Sequence, residues 1–300
     1  MDKYHTPVML HECIGGLAIR PEGTYVDVTF GGGGHSREIL SHLNKYGKLL
    51  AFDQDADAKQ NVPDESRFVF IDQNFRYLKN FCRLHHAIPV DGILADLGVS
   101  SYQFDQAERG FSIRFDAELD MRMNQQSALT AKEVVNTYSE AELHRIFGMY
   151  GEIQNAKSLA NTIVTARLSK PITTVADLKN AISNRIPRGK ENKYLAQVFQ
   201  ALRIEVNQEL EALKDFLIQS AEVLVSGGRL VVMSYHSLED RLVKNFIARG
   251  KFSGEVEKDI YGNDNRPFAS VSRGAITASE EEVKQNNRAR SAKLRIAVKK

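Results

Sequence analysis

The sequence predicts an α/β protein with a mostly parallel sheet covered by helices on both faces, and an all-helical subdomain set into it. Three observations predict this. Short runs rich in β-branched and aromatic residues alternate with helical stretches over the first hundred residues. No strand pattern occurs between about Asp105 and Val225. Strand character then returns twice before the end. A chain of 300 residues, 42% hydrophobic and 26% charged, can bury a sizeable core, which excludes global disorder.

The elements follow in order. Thr24–Phe30 reads as the first strand, and glycines 31 to 34 follow at once, leading into a helical stretch over Ser36–Leu43. Lys48–Asp53 is the second strand, Phe68–Ile71 a short third and Val90–Asp96 a fourth. Gly228–Ser234 is the fifth and Ala292–Val298 the sixth. About 130 residues separate strands four and five, whereas a parallel crossover needs only a dozen or so plus loops. One long helix, Val206–Val225, suffices for that crossover. The remainder is therefore an insertion, and the expected boundaries are 1–104 with 198–300 for the sheet domain and 105–197 for the helices. Within the insertion, Thr130 with Glu133 and Ser139 with Glu142 have the spacing of capping boxes. Leu143, Ile146, Phe147 and Tyr150 then share one helical face, and Leu178, Ile182 and Ile186 repeat the pattern after Thr174.

Forty basic and 38 acidic residues leave a net charge of +2, so total charge selects no partner. Two cysteines, Cys13 and Cys82, build neither a disulfide framework nor a four-ligand zinc cluster, and read as buried thiols. No apolar run approaches the length of a membrane span, and the first ten residues lack the apolar core of a signal peptide. The expectation is a cytoplasmic protein with no membrane contact and no metal.

Chemistry concentrates where strands end. Glycines 31 to 34 stand between a strand and a helix, where the backbone turns sharply and a ligand can approach closely. Some twenty residues on, the second strand ends in Asp53, whose carboxylate can accept both hydroxyls of a ribose. Together these indicate an adenosine-containing cofactor, shared by nicotinamide and adenosylmethionine enzymes. The nicotinamide reading is weaker: Ser36 or Arg37 falls where the third glycine of G-x-G-x-x-G belongs. Asp27, just before the loop, would repel a pyrophosphate and suits a ligand carrying a sulfonium and an ammonium.

Asp96, Ser100 and Ser101 leave strand four at the same sheet edge, and a polar run with spaced aromatics follows from Gln103 to Phe111. From the fifth strand come Tyr235, able to stack on a base, and His236, able to accept a proton. Ser234, His236 and Asp240 make a hydrolytic triad only on paper, since no G-x-S-x-G elbow accompanies them. The stretch from Lys284 to Lys300 holds seven basic residues and no acid; Arg288, Arg290 and Arg295 suit phosphate contacts as well as a solvated terminal strand. In the insertion Arg185, Arg188, Lys190 and Lys193 lie close together in sequence, opposed only by Glu191.

Seven blocks stand in order along nearly the whole chain: His5-Thr-Pro-Val-Met9, Thr29-Phe-Gly-Gly-Gly-Gly-His-Ser36, Asp96-Leu-Gly-Val-Ser-Ser101, Glu108-Arg-Gly-Phe-Ser112, Leu119-Asp-Met-Arg-Met123, Tyr235-His-Ser-Leu-Glu-Asp-Arg241 and Asn287-Arg-Ala-Arg-Ser291. Together they resemble the signatures of the MraW family of bacterial S-adenosylmethionine-dependent methyltransferases. The resemblance implies a class I, Rossmann-like methyltransferase sheet with an inserted helical substrate-recognition subdomain. It implies methylation of the exocyclic N4 amino group of a cytidine in the decoding region of 16S ribosomal RNA, with the RNA carried in the small ribosomal subunit, and it allows a homodimer. Carried over by position, cofactor contacts fall on Gly33, Gly34, His35, Asp53, Phe75, Asp96 and Gln103. Phe75 is placed to pack on adenine or to serve as a core aromatic. Asp96 and His236 are the candidate catalytic residues, and Arg288, Arg290, Arg295 and Tyr235 the candidate RNA contacts. Tyr102 and Phe104 are further aromatics for an extruded base. The Pro-Pro-aromatic sequence that often follows the reacting Asp or Asn in amino-methyltransferases is missing: Leu97-Gly-Val follows Asp96.

Overall fold

The computed structural model describes residues 7–100, 103–104, 106–257, 261–262 and 264–300. His5, Thr6, Ser101 and Tyr102, named above, lie outside the described residues. The chain divides into two compact units, Met1–Gly98 with Leu210–Lys300, and Val99–Glu209.

The first unit is built on a seven-stranded sheet: β1 (Thr24–Asp27), β2 (Lys48–Phe52), β3 (Phe68–Ile71), β4 (Val90–Asp96), β5 (Leu224–Ser234), β6 (Phe268–Ser270) and β7 (Lys293–Lys299). Their order is β3-β2-β1-β4-β5-β7-β6. The first five run parallel, and β7 runs antiparallel to both of its neighbours. Near-continuous apolar strands need cover on both faces, and alternate residues go to opposite cores. Val26, Leu50, Phe52, Ile93, Leu230 and Val232 pack with Leu78, Cys82, Phe216, Leu217 and Phe246. Those partners come from α3 (Leu78–Leu84), α9 (Glu209–Val223) and α10 (Ser237–Arg249). Tyr25, Leu49, Leu94, Val231, Met233 and Leu294 face the other way. They meet Cys13, Leu17, Ile39 and Leu40 from α1 (Leu10–Leu17) and α2 (Gly34–His42). Both cysteines are fully buried, and burial raises both thiols, Cys82 to about 12.

The second unit has its own closed core. It contains α4 (Ala131–Thr137), α5 (Glu140–Met149), α6 (Ala156–Ser169), α7 (Val175–Ile182) and α8 (Glu191–Asn207). The capping boxes at Thr130 and Ser139 form, and Thr174 makes a third with Asp177. Leu143, Ile146, Phe147, Leu178 and Ile182 are fully buried in this core, against which Tyr150 and Ile186 pack part-buried. Among the described residues its only β pairing is the isolated Glu118–Thr174 bridge.

Two expected elements need correction. The long helix expected over Val206–Val225 is two helices, α8 and α9, because Gln208 adopts a left-handed φ of 50° that ends the first. β5 starts at Leu224 rather than Gly228, with a register shift that pairs Val90 with Leu224 but Gly92 with Arg229. A Cβ at Gly228 would come within 2.9 Å of the Val225 carbonyl oxygen, so the irregular stretch requires glycine there. The unit boundaries at 98/99 and 209/210 also differ from the expected 104/105 and 197/198. Tyr194, Leu195, Val198, Phe199 and Leu202 bury α8 in the helical core, which keeps that whole helix in the second unit.

Candidate active site

Because β1, β2 and β4 are parallel, their carboxyl ends share one sheet edge. Asp27 closes β1 and is buried. Its Oδ1 accepts the Thr29 backbone N–H at 3.1 Å and the Thr29 hydroxyl at 3.4 Å, and Oδ2 accepts the Ser36 hydroxyl at 2.7 Å. Burial raises its pKa, and these bonds oppose the rise. Asp27 therefore organises the glycine loop from beneath and lends it negative charge. The same Thr29 hydroxyl oxygen accepts the Asp96 backbone N–H at 2.7 Å, tying the loop to β4.

The loop is drawn tight. Gly33 has a φ of 73° and donates to the Phe30 carbonyl at 2.7 Å, as the residue before α2. A Cβ on it would stand 2.9 Å from the Phe30 ring, while one on Gly34 would strike Pro7 at 2.3 Å. Gly32 faces open space. Asp53, just past β2, receives the Gly31 N–H on Oδ2 at 2.8 Å and the Asp55 N–H on Oδ1 at 2.9 Å. Both oxygens are thus oriented by backbone, each with a lone pair to spare. Burial pushes Asp53 up to about 6, against the pull of those bonds, with Asp55 and Asp27 adding to the rise.

Asp96 ends β4. Its Oδ1 accepts the Tyr235 hydroxyl at 2.8 Å, and its Oδ2 lies 3.9 Å from His35 Nδ1. Burial pushes Asp96 up to about 6; His35 and Tyr235 act against this, and Asp27 and Glu239 add to it. His35 is buried, which lowers its pKa and keeps it neutral near pH 7. Its Nε2 lies 3.3 Å from the Val8 carbonyl oxygen, so that nitrogen carries the hydrogen and Nδ1 turns a lone pair towards Asp96.

The remaining candidates are placed as follows. Phe75 opens a short turn after β3, half-buried, with its ring edge-on to Phe216 at 5.5 Å. His236 is the N-cap of α10. Its Nδ1 accepts the Glu239 N–H at 3.5 Å, while Glu239 Oε2 accepts the backbone N–H groups of Tyr235 and His236. His236 Nε2 lies 3.1 Å from Glu239 Oε1, at an angle that makes no hydrogen bond. Arg295 donates to Asp240 Oδ1 at 2.7 Å and pins β7 to α10, whereas Arg290 is exposed and Arg288 half-buried. The paper triad does not assemble: Ser234 Oγ lies 3.4 Å from the Lys293 carbonyl oxygen, and Asp240 is committed to Arg295. In the second unit, Gln103 is buried and exchanges hydrogen bonds with Ser100. There Arg185 donates to Thr162 at 2.6 Å, and Arg188, Lys190 and Lys193 are exposed.

Sequence reasoning missed Thr29 and Ser36 as partners of Asp27. The Asp27-x-Thr29 spacing of an Asx-turn was the available signal for the first. Nothing in the sequence ties Ser36 to Asp27 or Tyr235 to Asp96.

The donor set can be tested against an adenosylmethionine, which carries a sulfonium and an ammonium. Among the described residues no lysine or arginine lies within ion-pair distance of Asp27, Asp53 or Asp96. Burial raises all three carboxylates, and Asp27 adds to the rise at Asp53 and at Asp96, a setting that favours a nearby cation. The residues fit that group. Sheet order and the antiparallel β7 are those of the class I S-adenosylmethionine-dependent methyltransferases, with the acids at the carboxyl ends of the parallel strands, where open α/β sheets bind ligands. The family model described as the MraW methylase family matches residues 2–300, and the chain belongs to that family. It is similar to the "Ribosomal RNA small subunit methyltransferase H" of Cytophaga hutchinsonii, 62% identical over 98% of this chain and 99% of the relative. The proteins of the same name from Christiangramia forsetii and Flavobacterium johnsoniae are 57% and 58% identical, each over 99% of this chain and 98% of the relative.

Proposed function

We propose that this protein transfers a methyl group from S-adenosylmethionine to the exocyclic N4 amino group of a cytidine in the decoding region of small-subunit ribosomal RNA. The observation that carries the reading is the cluster of carboxylates around the glycine turn, Asp27 buried and Asp53 and Asp96 half-buried. It stands in a chain whose relatives bear a small-subunit rRNA methyltransferase name over their whole length.

When bound, the donor supplies an electrophilic methyl carbon on a good leaving group. Asp53 would take the ribose hydroxyls on its free lone pairs, Phe75 would offer a ring edge or face to the adenine, and Gly32 would leave room for the donor beside the loop. Gly33, Gly34 and His35 shape that turn, and Gln103 is a further candidate donor contact. Cytosine N4 is a weak nucleophile because its lone pair is delocalised into the ring. Asp96 would accept one amine hydrogen, turning the nitrogen lone pair towards the methyl carbon. Holding nitrogen, carbon and sulfur in line supplies up to about 7–11 kcal/mol. Asp96 would then take the surplus proton that the amine must shed once it is methylated. A pKa near 6 lets that group take the proton and return it to water. His236, committed to the cap of α10, is a supporting residue in this scheme. The exposed Arg188, Lys190, Lys193 and Arg290 would meet RNA phosphates, within the small subunit as substrate.

Mass spectrometry of small-subunit rRNA from cells lacking the gene tests this. One cytidine in the decoding region should lose a methyl group and regain it when the gene is restored. An unchanged methylation pattern overturns the assignment.

A further inference from the structure

Tyr235 lies 139 residues from Asp96 in sequence and donates its hydroxyl to Asp96 Oδ1 at 2.8 Å. The fold sets up this meeting. β4 and β5 pair with Asp96 opposite Met233, so Tyr235 leaves β5 next to the end of β4. Its backbone N–H is held by Glu239 Oε2 at 3.0 Å. Its ring lies against the turn after β4, 3.6 Å from where a Gly98 Cβ would stand. Burial and the neighbouring Asp96 raise the phenol far above its ordinary value, so the group remains an O–H donor at any working pH.

The Asp96 carboxylate receives no other hydrogen bond among the described residues. Its Oδ2 lies 3.9 Å from His35 Nδ1, beyond hydrogen-bond distance. Thr29 fixes the Asp96 backbone, not its carboxylate. Rotation of the carboxylate is therefore set by one phenol. We propose that Tyr235 is a positioning residue for the methyl transfer: its hydroxyl holds Asp96 Oδ1, so that Oδ2 is presented in a fixed direction to the substrate amine. This rests on Asp96 being the carboxylate that meets the amine.

The charged and titratable groups facing Asp96 are His35 from α2, Asp27 from β1, Cys13 from α1, Glu239 from α10 and Tyr235 itself. Tyr235, by donating its hydroxyl, favours the ionised form, and His35 does so only when its ring is protonated. Tyr235→Phe keeps the ring and deletes the donor. The methylation rate constant should fall on the order of 10-fold to 100-fold. KM for S-adenosylmethionine, and its affinity by calorimetry, should stay within about twofold. The acid limb of kcat/KM against pH should move alkaline by about one to two pH units, the loss of a hydrogen bond to a charged group. A purely structural role would lower stability and leave that limb in place.

Asp96→Asn reads the pair from the other side, because the amide oxygen still accepts the Tyr235 hydroxyl. It should abolish the acid limb, and adding Tyr235→Phe should bring no acid limb back. Active wild-type protein with Tyr235→Phe unchanged in rate and pH profile overturns this inference alone, as does an acid limb that survives in Asp96→Asn. A wild-type protein that binds the donor and methylates no rRNA overturns the functional reading, and this inference with it.

Discussion

Replacing Asp53 by Asn should separate donor binding from folding in a pH-dependent way. Asp53 is held by two backbone N–H groups, yet burial pushes its pKa up to about 6. A displacement of that size corresponds to about 3 kcal/mol of folding free energy withheld by the ionised group. A carboxyl raised in the folded state stabilises the protein below its unfolded pKa, and that contribution is lost as pH rises through about 6. Asparagine keeps one oxygen acceptor and removes the charge, at the cost of one backbone bond worth about 1.5–3 kcal/mol. The donor-free variant should therefore be close to wild type in stability near pH 7.5 and less stable than wild type near pH 4.5. Its affinity for S-adenosylmethionine should fall by about 1.5–3 kcal/mol, or roughly 10-fold to 150-fold, from weakened ribose contacts. Isothermal calorimetry measures the affinity, and denaturant unfolding across pH measures the stability. Unchanged donor affinity would remove Asp53 from the site. A stability difference that grows more unfavourable as pH rises from 4.5 to 7.5 would refute the account of its burial.

Other outcomes follow from neighbouring contacts. Ser36→Ala should destabilise the protein by about 1–3 kcal/mol by taking the hydroxyl from buried Asp27, and by less as acid protonates that carboxyl; unfolding at two pH values checks both. Arg290→Ala should lower the slope of log affinity for RNA against log salt by about 0.7, as one lost phosphate contact would. Arg295→Ala should instead leave that slope alone and lower the melting temperature, because Arg295 is bonded to Asp240. Neither Cys13 nor Cys82 should react with a thiol reagent near pH 8 until the chain unfolds.

The sheet was legible because parallel strands buried on both faces must be apolar throughout, and five of the six expected strands fall within a few residues of those observed. Capping boxes were legible because Thr130 and Ser139 meet partners three residues away. What escaped depends on backbone geometry or on distant contacts. Gln208 breaks a continuous apolar periodicity by its left-handed backbone, a conformation that no residue type there announces. β6 has three residues and pairs only with β7, too short to show a pattern. At the site, Asp53 and Asp96 could be placed because strand ends face one edge in this architecture. Tyr235 could not, since its aromatic ring suggested stacking and only the pairing of β4 with β5 reveals where its hydroxyl goes. Arg295 was similarly misleading, because a basic tail looks available for phosphate until Asp240 is seen beside it.

Thr29 has a consequence for how the molecule can change. A single hydroxyl joins the acid beneath the glycine turn to the backbone of the fourth strand. Any adjustment of the turn, whether by substitution or by drift, is transmitted to the strand end that carries Asp96. Grip on the donor and aim at the acceptor therefore cannot be tuned separately through this part of the chain, and variants that retain one while losing the other should arise elsewhere.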